Sequence, residues 1–193
     1  MTKVVLLSLV ASASAFAGDP KGGAAGAPAV PPVAEKKPAG AKPPGPPAEI
    51  TAMAKSMAGT WKCTGKAEMG GVTVDTKGTL THKADLDGFW VASSLTATAG
   101  KATMHATFMT TFDPGSRRFY RQTANGHGGH GTGWGTVEGT KTSWEGDAYF
   151  AGNNHMVRGT DEMVSPKEAH ITGEYSDDGG KTWKFDHDVT CKK

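Results

Sequence analysis

Seven histidines, two cysteines and one compact run of cationic and aromatic residues are the parts of this 193-residue chain that could do chemistry. His127 and His130 lie in the glycine-rich stretch Asn125-Gly-His-Gly-Gly-His-Gly131, at a two-residue gap that lets both imidazoles reach one zinc or copper ion. No third ligand is near them in sequence, and ordering a glycine-rich loop around a metal costs entropy, so the plainer reading is a solvated hairpin. Met104-His105 and His155-Met156 pair a soft thioether with an imidazole, which raises metal or haem ligation. Adjacent strand residues point to opposite faces, however, so neither pair can grip one interior ion. With Met104, Phe108 and Phe112 on one face, His105 is expected outside. Arg118, Tyr120, Arg121 and Gln122 share a strand, and strand alternation turns part of this cluster inward. Arg118, Tyr120 and Gln122, with Trp90 and Trp144, form the candidate ligand-contacting set. A few inward polar groups among apolar walls are what a small-molecule pocket needs. A buried arginine satisfied by carboxylates or carbonyls explains the same cluster equally well. Gly-x-Ser-x-Gly and His-Glu-x-x-His are both absent, and no paired carboxylates can be assigned. The expectation is therefore a non-enzymatic protein with no cofactor.

The elements that would carry these residues follow from composition and period. Met1 to Ala17 has Lys3, an apolar run from Val4 to Val10 and the small-x-small run Ala15-Phe16-Ala17, the pattern of a cleavable signal peptide. Seven apolar-leaning residues fall far short of the roughly 20 that span a bilayer, so stable membrane insertion after cleavage is not expected. From Gly18 to Ala48, 9 of 31 residues are Pro, 8 are Ala and 6 are Gly, which reads as a disordered linker. Residues 49–193 hold 16 basic and 17 acidic side chains, a net of −1 with mixed signs. That balance excludes the basic stripe on which nucleic-acid binding depends.

Ile50, Met53, Ala54 and Met57 trace one face of a short helix over Glu49 to Ala58. After Gly59 the period becomes two, and Gly, Asn, Asp and Pro punctuate the chain every 8 to 15 residues, giving about ten strands. The fold expected is all-β, a closed antiparallel barrel. On the first strand Trp61, Cys63, Gly65 and Ala67 share the buried face; on the last, Trp183, Phe185, His187, Val189 and Cys191 do. In an exported chain Cys63 and Cys191 are expected to pair, with Cα atoms about 5 to 6 Å apart, and the pairing requires the terminal strands to be neighbours.

Gly59-Thr60-Trp61 after a short helix resembles the Gly-x-Trp start of lipocalin-like, or calycin, barrels. More of the chain resembles the bacterial family of domains of unknown function numbered 1579. The matching features run in order: Ala58 to Trp61, Leu86 to Val91, Thr111-Phe112-Asp113 leading to Tyr120, Glu138 to Thr140 with Trp144 and Gly146, and Asp178 to Trp183. One departure is the histidine loop, which stands where such proteins tend to show a Trp-Asp pair. The resemblance implies a calycin-type barrel and carries no activity with it. Ser176 to Trp183 also fits the Asp-box of sialidases, but a single copy in a domain too short for a propeller reads as a hairpin held by Asp178. The functional expectation is a periplasmic or secreted barrel that binds a small, partly apolar ligand. The alternatives are metal or haem binding through histidine, and a structural envelope module.

Overall fold

A computed structural model describes residues 44–193; the expected signal peptide over 1–17 and the expected linker up to residue 43 lie outside the described residues. Helix α1, Ala48–Met57, begins one residue before its expected start, just after Pro46 and Pro47. Proline serves here because the first helical N–H groups have no partner within the helix in any case. Ile50 is fully buried, and Met53 and Ala54 pack beside it on the expected face. Gly59, at φ 105°, turns the chain from helix into sheet. Pro46 and Pro47 are half-buried, and a Cβ placed on Gly88 would stand 3.2 Å from the Pro46 ring. The folded unit thus starts a few residues inside the expected linker.

Ten strands follow: β1 Gly59–Met69, β2 Val72–Asp85, β3 Trp90–Ala99, β4 Ala102–Asp113, β5 Arg118–Asn125, β6 His130–Glu138, β7 Lys141–Phe150, β8 Asn153–Ser165, β9 Glu168–Ser176 and β10 Lys184–Lys192. Each runs antiparallel to the next, and β1 pairs with β10 to close the barrel. Closure leaves no open sheet edge. The breaks between strands fall at the turn residues read from the sequence, because glycine supplies the positive φ that tight hairpins require, as at Gly70 and Gly71 (φ 61° and 86°).

Helix α1 packs on β2, β3 and β4, and Met53 and Met57 close that end of the barrel. Ile50, Val91 and Phe119 form the core beneath it, with Phe112 and Trp144 alongside. A second core of Trp61, Cys63, Leu80, Ala169 and Cys191 occupies the side formed by β9, β10, β1 and β2. Cys63 and Cys191 face each other in register and are bonded, S–S 2.02 Å. Their Cα atoms are 3.9 Å apart rather than the expected 5 to 6 Å. Direct opposition across an antiparallel pair accounts for the closeness, since the narrow positions of such a ladder bring Cα atoms to about 4.5 Å.

The expected inner face of β10 needs a second correction. His187, Val189 and Cys191 line the interior, but Phe185 is exposed. A register shift against β9 between Phe185 and His187 explains it, because an extra residue reverses the side on which the preceding side chain falls.

Candidate functional site

The barrel is hollow. A cavity of about 530 Å³ extends from Met53 and Met57 under the helix to Met69, His130 and Tyr149 at the opposite end. Its middle is apolar, walled by Leu80, Leu95, Phe108, Ile171 and Val189. Glycines at inward strand positions leave the space empty. A Cβ on Gly135 would lie 2.7 Å from the Trp144 ring, so the indole can rest against the wall only because that residue is glycine.

Polar groups gather toward the helix end. Phe119 is held inward by the core under α1, and the two-residue period then turns Arg121 and Thr123 into the cavity. Arg121 donates from Nη2 to Asp161 Oδ2 at 2.7 Å and from Nε to Thr110 Oγ1 at 3.3 Å. Its guanidinium lies 3.6 Å from the centre of the Trp144 ring, a cation–π stack. Trp144 Nε1 donates to the same Asp161 oxygen at 2.9 Å. The ion pair is mostly withdrawn from solvent, with side-chain exposures of 21% and 19%.

Two histidines flank this pair with opposite behaviour. His82 is buried with its Nδ1 2.7 Å from Ser93 Oγ, and its pKa falls to about 4. Burial is the main cause and the Arg121 charge adds to it, against a smaller upward pull from Asp161. His187 moves the other way. Burial pulls it down, but the hydrogen bond from Nδ1 to Asp186 at 2.8 Å and the nearby carboxylates Asp186, Asp161 and Asp188 raise it overall.

Of the five candidate ligand contacts, Trp144 alone lines the cavity. Arg118, Tyr120 and Gln122 alternate with Phe119 and Arg121 and therefore take the outer face, which corrects the strand phase expected for them. Arg118 pairs with Glu145 at 2.7 Å and lies over Trp134, whose ring packs 4.9 Å from Tyr120. Trp90 falls off the cavity in the same way, out of phase with Val91, Ser93 and Leu95. The buried-arginine alternative is realised by Arg121.

His127 and His130 sit at the end away from the helix. Asn125 Oδ1 accepts from the amides of His127 and Gly129, both at 2.9 Å, and so shapes the loop. His130 packs on Tyr149, ring centres 5.4 Å apart. Among the described residues, no three His, Cys, Asp or Glu side chains come together as metal ligands. Met104 lines the cavity while His105 approaches Thr96 Oγ1 at 3.2 Å on the other face. His155 is buried, stacked 3.8 Å from Phe150 and bonded to Asp177, whereas Met156 is exposed. Asp178 accepts from the amides of Lys181 and Thr182 and from the hydroxyls of Ser176 and Thr182, so the Asp-box segment is a tied hairpin. Those bonds hold its carboxyl down at about 2.

Asp161, His82, Ser93 and Thr110 were not singled out from the sequence. Their signal was the same alternation: Val157 and Met163 face inward on β8, which fixes Asp161 between them, and Leu80 fixes His82 on β2.

The model of the family described as "Protein of unknown function (DUF1579)" matches residues 46–188. No curated protein matches the chain. The crystal structure of Rv2717c from M. tuberculosis is similar over 76% of this chain and 98% of that one, with TM-score 0.55 and 11% sequence identity. At that identity the likeness is one of fold.

Proposed function

The chain belongs to the DUF1579 family, and from that premise we propose that it binds a small, partly apolar ligand inside the barrel without transforming it. One observation carries the reading: a cavity of about 530 Å³ with an apolar middle and a polar group of four, Arg121, Asp161, Trp144 and Thr110, at its helix end. The volume lies in the range of about 300 to 1,000 Å³ typical of small-molecule sites, which likewise combine apolar walls with a few fixed polar groups. Export is part of the proposal. It is supported by the signal-peptide pattern over 1–17 and by the Cys63–Cys191 bond, which suits an oxidising compartment.

Mass spectrometry of the protein purified from its native host tests both parts. The expected result is an intact mass beginning at Gly18, with a small molecule released on denaturation. Uptake of a neutral environment-sensitive dye such as Nile red provides an independent check. A protein that carries no small molecule and takes up no dye would overturn the binding reading in favour of a structural envelope module.

A further inference from the structure

The chemistry at the helix end of the cavity restricts what the ligand's head group can be. Arg121 is the cation of the site, but it does not await an anion: Asp161 already occupies it at 2.7 Å. His82, kept neutral by burial and by Arg121, adds no charge, and His187 is matched by its neighbour Asp186. A carboxylate brought into this end could reach the open side of Arg121 only at close range to the Asp161 carboxylate, where water screens the repulsion little. A primary ammonium would meet Arg121 with the same difficulty. Burying a charge that the site does not compensate is costly, and the cost works as selection against charged ligands.

The pair nonetheless keeps unused hydrogen-bonding capacity of both kinds. Arg121 spends Nε on Thr110 and Nη2 on Asp161, and its Nη1 has no partner among the described residues. Asp161 receives Arg121 and Trp144 on Oδ2, and its Oδ1 accepts from no group among the described residues. Open donors on Arg121 together with an open acceptor on its partner Asp161 match a group that both accepts and donates. Carboxylates only accept, and ammonium groups only donate.

We infer that the cavity selects an uncharged ligand whose polar end is a hydroxyl or amide held between Arg121 and Asp161, with an apolar body along Leu80, Leu95, Phe108 and Ile171. This inference rests on the binding reading above and specifies its ligand class.

The test displaces Nile red from the full mature protein at pH 7.5 with decanol, decanamide, decanoate and decylamine, which share one chain length. Decanol or decanamide is expected to compete at least about tenfold better than either charged compound, the scale of leaving one charge poorly matched. Asp161→Asn frees Arg121 and is expected to shift the ranking toward decanoate, while Arg121→Gln is expected to gain no decanoate binding. Decanoate or decylamine equal to or better than the neutral compounds in the wild type overturns the inference, whatever the folding of the variants. So does dye binding that none of the four displaces. Absence of dye binding overturns the cavity reading itself, and this inference with it.

Discussion

His82 and His187 face one cavity from opposite electrostatic circumstances, and the difference gives them separate pH signatures. The folded pKa of His82, about 4, is below the 6.5 of the unfolded chain, so between those values the unfolded state binds more protons. Stability tied to His82 is complete above pH 6.5 and is lost as the pH falls toward 4, by up to about 3 kcal/mol for a shift of this size. His187 has the opposite sign. With its folded pKa raised, its contribution is full below 6.5 and disappears as the pH rises through the folded value. The two windows lie on either side of 6.5 and can be read apart. Urea midpoints at pH 7, 5.5 and 4 are expected to fall in the wild type, and His82→Gln is expected to flatten most of that fall. A wild-type midpoint that holds steady down to pH 4 would show that His82 is protonated in the folded barrel.

At the scale of the strand and the hairpin, one carboxylate organises the β9–β10 connection. Asp178 gathers two amides and two hydroxyls from Ser176 to Thr182, with its pKa held at about 2. Because the folded value is depressed below the 3.8 of a free carboxyl, the support is present above pH 3.8 and fades as the pH falls toward 2. Asp178→Ala is expected to speed hydrogen exchange at the Lys181 and Thr182 amides and to leave exchange in β3 and β4 unchanged. Faster exchange throughout the barrel would mean that this hairpin supports the whole sheet. The same scale explains what the sequence made legible. Turn residues announce themselves by type, so about ten strands could be read from glycine, asparagine, aspartate and proline positions, and the neighbouring terminal strands from the matching faces of Cys63 and Cys191. Facing was legible where an apolar residue anchored the phase, as at Trp61 and Cys63, and was missed on β5, where Phe119 and Tyr120 are both aromatic. Only the core under α1 decides that Phe119 turns inward, and with it Arg121. Phe185 was missed for another reason: a bulge changes the phase inside a strand, and nothing in its composition marks the extra residue.

For the molecule as a whole, the starting point of the folded unit and the closure of the barrel are separate questions with separate tests. Pro46 packs beside Gly88, and the family match begins at residue 46, so a chain starting at Gly45 is expected to melt within about 2 °C of the mature protein. Starting at Ala48 instead removes Pro47, whose carbonyl accepts from Thr51, and is expected to lower the melting temperature. Closure itself is held by two devices, the ladder of β1 on β10 from Lys62 to Ala67 and the bond between Cys63 and Cys191 inside that ladder. The bond joins residues 128 apart, and in the chain-entropy model such a loop is worth at most about 5 kcal/mol, acting by restricting the unfolded chain. The ladder acts on the folded chain and is expected to survive reduction. Reduced protein, or Cys63→Ser with Cys191→Ser, is therefore expected to lose a few kcal/mol in urea titrations, about 2 to 4, while keeping its β circular dichroism and its Nile red binding. If dye binding vanishes while the β signal remains, the β1–β10 seam opens without the covalent link, and the enclosed cavity depends on the oxidised state.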